Sequence, residues 1–140
     1  MDFFRSINNK VADIVATPAI NGALILAARV LASLIFIMAG YGKISGYAGT
    51  AQYMQSMGVP AGLLPLVILL ELGGGIALLV GFQTRLAALA LAVFSIISAF
   101  IFHATPDQQI MLMKNIAMAG GLLAFTFFGA GRLSLDAENR

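Results

Sequence analysis

Four long apolar stretches, residues 21–43, 61–81, 84–104 and 112–129, are separated by Pro, Gly and polar punctuation. Each approaches the roughly twenty apolar residues that a helix needs to cross a bilayer. The connections are short, so sequence neighbours should pack antiparallel in one up-and-down bundle. The pattern therefore predicts an all-α membrane protein, a four-helix transmembrane bundle forming one domain over residues 1–140 with no soluble module.

Before the first span, Phe3, Phe4, Ile7, Val11, Ile14 and Val15 recur at three- and four-residue spacing opposite Arg5, Asn8, Asn9, Lys10 and Asp13. That pattern predicts a short amphipathic helix lying in the membrane interface. Thr17-Pro18 should end it, because Pro disfavours helix at the residue before it. The apolar run does not follow the basic residues directly and ends in no small-residue cleavage site, so the N-terminus is expected to stay attached.

Composition agrees with the pattern. Hydrophobic residues make up 60% of the chain and charged ones 10%, with a mean hydropathy of +0.94. A water-soluble domain devotes about a quarter of its residues to charge, so a soluble enzyme is excluded. The eight Lys and Arg form no cluster suited to phosphates, and no nucleic-acid partner is expected. The chain has no Cys and one His, which excludes disulfides, iron-sulfur clusters and thiolate nucleophiles and leaves no ligand set for a metal site. Any redox role then requires an organic cofactor or a partner protein.

Charge also sets orientation. With four spans both termini share a side, which collects Arg5, Lys10, Arg85, Arg132 and Arg140 against Lys43 and Lys114 opposite. The excess predicts cytoplasmic termini. The longest loop, residues 44–60, then faces outward with Tyr47, Tyr53, Met54 and Met57. Its aromatics are either interfacial anchors or part of a lid over a site.

Two charges fall inside the apolar runs, Arg29 in the first and Glu71 in the second. An ionised group at the bilayer centre costs several kcal/mol unless paired. Counted from the terminal side at about 1.5 Å per residue, they lie roughly 12 and 15 Å deep, so an intramembrane Arg29–Glu71 ion pair is expected. Gly74 and Gly75 follow the carboxylate on its own helix face, where a neighbouring backbone can approach. Arg29, Ser33, Phe36, Gly40 and Lys43 share a narrow arc that must look into the bundle.

The same depth arithmetic places His103 and Lys114 with Lys43 near the outer rim. An imidazole between two ammonium groups could cradle an anionic or quinone-like head group, with Asn115 and Tyr41 as further donors. The plainer alternative is that both lysines snorkel to water and His103 caps a helix end. Small-residue spacings such as Ala28 to Ala32 and Ala117 to Gly121 suit close helix packing, within the bundle or in a homodimer.

These residues together resemble the DoxX family of small bacterial inner-membrane proteins. The resemblance rests on Arg29 with Phe36 and the run Gly40-Tyr41-Gly42-Lys43-Ile44-Ser45-Gly46, then Tyr53 with Gly58-Val59-Pro60 and Glu71 with Gly74-Gly75. It continues through Gly81-Phe82-Gln83-Thr84-Arg85, Phe102-His103, Lys114-Asn115 with Gly120-Gly121, and the tail from Gly129 to Asp136. It implies a four-helix inner-membrane protein associated with redox metabolism, at most a subunit of a quinone-linked oxidoreductase. Some relatives are subunits of a thiosulfate:quinone oxidoreductase and others belong to oxidative-stress complexes.

The leading expectation is a redox-accessory subunit that binds a quinone-like amphiphile or a redox partner protein. His103 and Lys114 would bond its head group, and Glu71 with Arg29 would form the cavity floor. Two other readings compete. A small proton-coupled transporter or exporter would use Glu71, although a fixed counter-charge makes a carboxylate a poor proton carrier. A structural or assembly subunit would use the buried pair for helix register alone.

Overall fold

The computed structural model describes residues 1–137; Arg140, one of the basic residues assigned to the terminal side, lies outside the described residues. Among the described residues the chain is helical apart from short turns and its tail. The elements are α1 (Asp2–Ala16), α2 (Pro18–Ser45), α3 (Tyr47–Ser56), α4 (Ala61–Val80), α5 (Thr84–Phe102) and α6 (Pro106–Phe128). Helices α2, α4, α5 and α6 are each long and apolar enough to cross a membrane.

The spans match the predicted ones except at two starts. Helix α2 begins at Pro18 and α6 at Pro106, three and six residues before the expected positions. Both prolines sit in a first turn, where the missing N–H would be unsatisfied anyway and the fixed φ suits helix. Thr17 keeps extended backbone between α1 and α2, as a residue before Pro should. Helix α1 buries none of its residues, and Phe3, Phe4, Ile7, Val11 and Ile14 all stand exposed on its apolar face. This is the geometry of a helix whose partner is the lipid interface.

The bundle is tightest between α5 and α6, followed by α2 against α4, and loosest between α2 and α6. At the seam of α2 and α4, a Cβ on Gly40 would stand 2.9 Å from the Leu72 backbone nitrogen, and one on Gly75 would stand 2.9 Å from Ile37 Cγ1. Helices approach this closely only across small residues. One continuous core of Phe36, Leu78, Ala88, Leu91, Ala92, Ala119 and Leu122 fills the half of the bundle nearer the termini.

The tail after α6 folds back under that core. Leu135 and Asp136 donate their backbone N–H groups to the Val80 and Gly81 carbonyls, at 3.1 and 2.8 Å. Arg29, fully buried, reaches the same place: its guanidinium donates to the carbonyls of Leu78 (3.4 Å), Leu79 (2.8 Å) and Leu133. Gly81 is obligatory here. It adopts φ +71°, and a Cβ would lie 2.3 Å from Ser134 and 2.6 Å from the Arg29 guanidinium.

Asp136 closes the lock by accepting from the Gln83 and Thr84 backbone N–H groups at 2.8 and 2.9 Å, at the start of α5. Burial works against its ionisation, but those two N–H groups and the nearby Arg29 charge outweigh it and hold the carboxyl below its usual range.

Two outcomes are expected. Replacing Arg29 (Arg29→Leu) should release the tail, so that trypsin in detergent cleaves after Arg132 well before it attacks the bundle; equal cleavage in both proteins would count against the lock. Because the folded-state pKa of Asp136 is depressed, its stabilising contribution is present above the unfolded value of about 3.9 and is lost as pH falls through the lower folded value. The melting temperature of Asp136→Asn should therefore fall below that of the parent at pH ~7 and converge with it in the acid range; a gap that persists in acid would refute the assignment.

Candidate functional site

Glu71 pairs with Lys43, not with Arg29. The Lys43 Nζ lies 2.7 Å from the Glu71 carboxylate, while Arg29 is occupied by backbone carbonyls of α4 and the tail. The expected pair fails because the ends of α2 and α4 are not flush. Residues 78 to 81 of α4 and the turn after it lie beside Arg29, and the tail fills the space below. Glu71, nearly two turns before Leu78 on α4, is thereby carried away from Arg29 and up to the level of Gly40 and Lys43.

The backbone around Glu71 is also special. Residues Leu69–Gly73 form a single π-turn within α4, a distortion common at functional sites. Beyond it Gly74 faces Leu91 of α5 while Gly75 faces α2. The carboxylate opens into a cavity of about 380 Å³ in the half of the bundle away from the termini, within the roughly 300–1,000 Å³ typical of small-molecule sites.

The cavity gathers most of the predicted residues. Lys43, Glu71, His103, Lys114 and Asn115 all line it. Tyr41 does not. Two residues before Lys43, it points away from the inward arc and stands 66% exposed on the outside of α2. Tyr53 lines the cavity instead: with Thr50, Met54 and Val59 it forms the roof, and its ring stacks on Phe102 with centroids 5.5 Å apart. Met54 is buried beneath it. Helix α3 thus covers the cavity. Arg29 contributes nothing to the floor.

Two further residues of the wall, Ser95 and Ser98 of α5, are absent from the expected set. Both line the cavity, and the Asn115 amide donates to the Ser95 carbonyl at 3.3 Å and the Ser98 hydroxyl at 3.2 Å. Their signal in the sequence is two serines in the middle of the apolar run 84–104. His103 is the capping residue after α5 and also a cavity residue; its Nδ1 meets the Gln108 side-chain oxygen at 3.1 Å. That oxygen can only accept, so Nδ1 is the donor of this contact. Among the described residues no three His, Cys, Asp or Glu gather as metal ligands.

The arrangement is an apolar chamber with a few fixed polar groups, lined by α2, α4, α5 and α6 and covered by α3. Comparison with known proteins bears on what such a chamber belongs to. The DoxX family model matches residues 24–104, more than half of the chain. The chain belongs to the DoxX family. This DoxX protein is 52% identical over 115 residues to the inner membrane protein YqjF of Escherichia coli (strain K12), covering 80% of this chain and 88% of that one.

It is also 35% identical over 123 residues to the inner membrane protein YphA of the same organism, covering 81% and 88%. A third relative, "Putative oxidoreductase CatD" of Bacillus subtilis (strain 168), is 34% identical over 80 residues, covering 57% and 58%. No solved structure matches significantly. With four spanning helices and these relatives, the chain is a multi-pass inner-membrane protein.

The Lys43–Glu71 pair makes an asymmetric prediction. Lys43 keeps 28% of its side chain exposed, whereas Glu71 keeps 5%. Losing the carboxylate (Glu71→Gln) leaves an ammonium that can snorkel to water, at about 1 kcal/mol. Losing the ammonium (Lys43→Met) strands a buried carboxylate, at roughly 3–5 kcal/mol. Thermal melts in detergent should rank Lys43→Met as the less stable, with the double variant recovering most of the loss; the opposite ranking would contradict the burial of the pair.

Proposed function

We propose that this DoxX protein is a redox-accessory membrane protein that retains a quinone-like amphiphile in the cavity between α2 and the α5–α6 hairpin. The observation that carries this reading is the cavity itself: apolar walls at membrane depth end in the Lys43–Glu71 pair, Asn115, Ser95 and His103. An amphiphilic ring needs just such a combination, bulk apolar contact for its body and a few placed hydrogen bonds for its oxygens. Phe36, Phe94 and Met118 offer the apolar contact, and the Lys114 ammonium and the His103 imidazole near the rim offer hydrogen-bonding groups for its oxygens. The redox link of the family and the name carried by the Bacillus relative support the same direction.

When bound, such a ring supplies electron-transfer chemistry that the side chains of this chain lack. The residues here would hold it, exclude water and present it to a partner protein, with the termini toward the cytoplasm. Proton-coupled transport is less well supported, because Glu71 already has a fixed counter-charge in Lys43.

The test is native mass spectrometry of the protein taken from its own membranes in mild detergent, with co-purifying small molecules identified from the same sample. A quinone-like amphiphile should accompany the parent protein. His103→Ala and Lys114→Ala should each lower its retention about threefold or more, as expected for one lost hydrogen bond, with unchanged melting temperatures. Ordinary phospholipid alone, or unchanged retention in both variants, would remove the basis for the reading.

A further inference from the structure

The deep end of the cavity has a donor and acceptor pattern that discriminates between ligands of one shape, and the inference drawn from it rests on the amphiphile-binding reading above. Helix register brings Glu71, Ser95 and Asn115 to one depth. Gly74 faces Leu91, so Glu71, one turn before Gly74, stands level with Phe94 and Ser95 one turn beyond Leu91. Asn115 bonds across to the Ser95 carbonyl. The three are 3%, 1% and 7% exposed and all line the cavity.

Their remaining hydrogen-bonding capacity can be counted. A carboxylate only accepts. Asn115 has spent its amide N–H groups on the Ser95 carbonyl and the Ser98 hydroxyl, so what it has left is its carbonyl oxygen, again an acceptor. Among the described residues the Ser95 hydroxyl has no partner. That is unusual in this bundle, where Ser33, Ser98 and Thr126 each donate to a carbonyl three or four residues back on their own helix. A buried hydroxyl in the membrane that forgoes this bond is available to a ligand, as donor or as acceptor.

The nearest strong donor, Lys43, is committed to Glu71. At the rim the balance differs, because Lys114 can donate; its ammonium meets the weakly accepting Met111 sulfur at 3.8 Å. The cavity therefore offers two pure acceptors and one free hydroxyl at its deep end and a donor at its mouth.

We infer that the Glu71, Ser95 and Asn115 layer selects a headgroup that carries an O–H: a hydroquinone or phenol ring on an apolar tail, in preference to the corresponding quinone or methyl ether. A hydroquinone hydroxyl donates to Glu71 or Asn115 while its oxygen accepts from Ser95. A quinone carbonyl accepts only: it can take the Ser95 hydroxyl, but it leaves the Glu71 and Asn115 oxygens facing a third acceptor. No bond is made or broken in this step; the discrimination is one of binding.

The experiment uses the full chain in lipid nanodiscs under anaerobic conditions. Three probes are titrated by calorimetry: a decyl-substituted benzoquinone, its hydroquinone, and the dimethyl ether of that hydroquinone. The hydroquinone should bind about tenfold or more tightly than either of the others, the size expected of one well-made hydrogen bond to a buried charged acceptor. Ser95→Ala, nearly isosteric, should keep the melting temperature and weaken hydroquinone and quinone alike about threefold or more, whereas Glu71→Gln, which replaces the charged acceptor by a neutral one, should cut the preference about threefold or more. Equal binding of all three probes would overturn the selectivity while leaving the amphiphile reading in place. An unaltered preference in Glu71→Gln would overturn the role given to this layer. Binding of none of the three would remove the amphiphile reading and the selectivity with it.

Discussion

Helix ends inside or beside a bilayer present carbonyls that no water can reach, and two arginines of this chain answer that constraint. The last turn of α4 is met by the Arg29 guanidinium from α2, and the last turn of α6 by Arg85 of α5, which donates to the Thr126 carbonyl at 3.2 Å and to that of Phe127. A guanidinium is suited to this work, because its fork of donors serves several carbonyls at once and its charge opposes the negative end of the helix dipole. Unsatisfied carbonyls in a membrane cost several kcal/mol each. The terminal half of the bundle is organised around supplying them with donors.

Once Arg29 is placed by that demand, the rest of the register is determined. The tail must lie where its Leu133 carbonyl can share the guanidinium and where Leu135 and Asp136 can bond the end of α4. Helix α4 then stops short of the terminal end of α2. Its polar residue, Glu71, is lifted to the outer half, beside Lys43. The two cations of α2, fourteen positions apart on one face, thus take separate tasks: the deeper one fixes architecture and the outer one neutralises the cavity carboxylate.

Much of this is legible in the sequence, and the remainder is hidden for physical reasons. The four spans, the interfacial α1 and the inward arc of α2 can be read because hydropathy and a period of 3.6 residues determine them directly. The helix starts at Pro18 and Pro106 are harder to read, because Pro serves equally as a breaker and as a first-turn residue. An Arg29–Glu71 pairing requires neighbouring helices to end flush, a condition undone by a tail that is polar, irregular and silent in hydropathy. Lys43, His103, Lys114 and Asn115 stand out because charge and amide groups are conspicuous in apolar runs. Ser95 does not, since a hydroxyl in a membrane helix usually bonds its own backbone and only tertiary structure shows that this one does not.

The π-turn at Leu69–Gly73 joins these two halves of the molecule. Above it lies the cavity, below it the close-packed core and the arginine-bound helix end. An extra residue in one turn widens the helix and rotates the residues beyond it. Here it lets Glu71 point into the cavity while Gly74 and Gly75, on the next turn, press against α5 and α2. A regular helix would place Gly74 and Gly75 on the carboxylate's own face and would force a choice between close packing and an open site. The distortion, together with three successive glycines that tolerate it, permits both within one span.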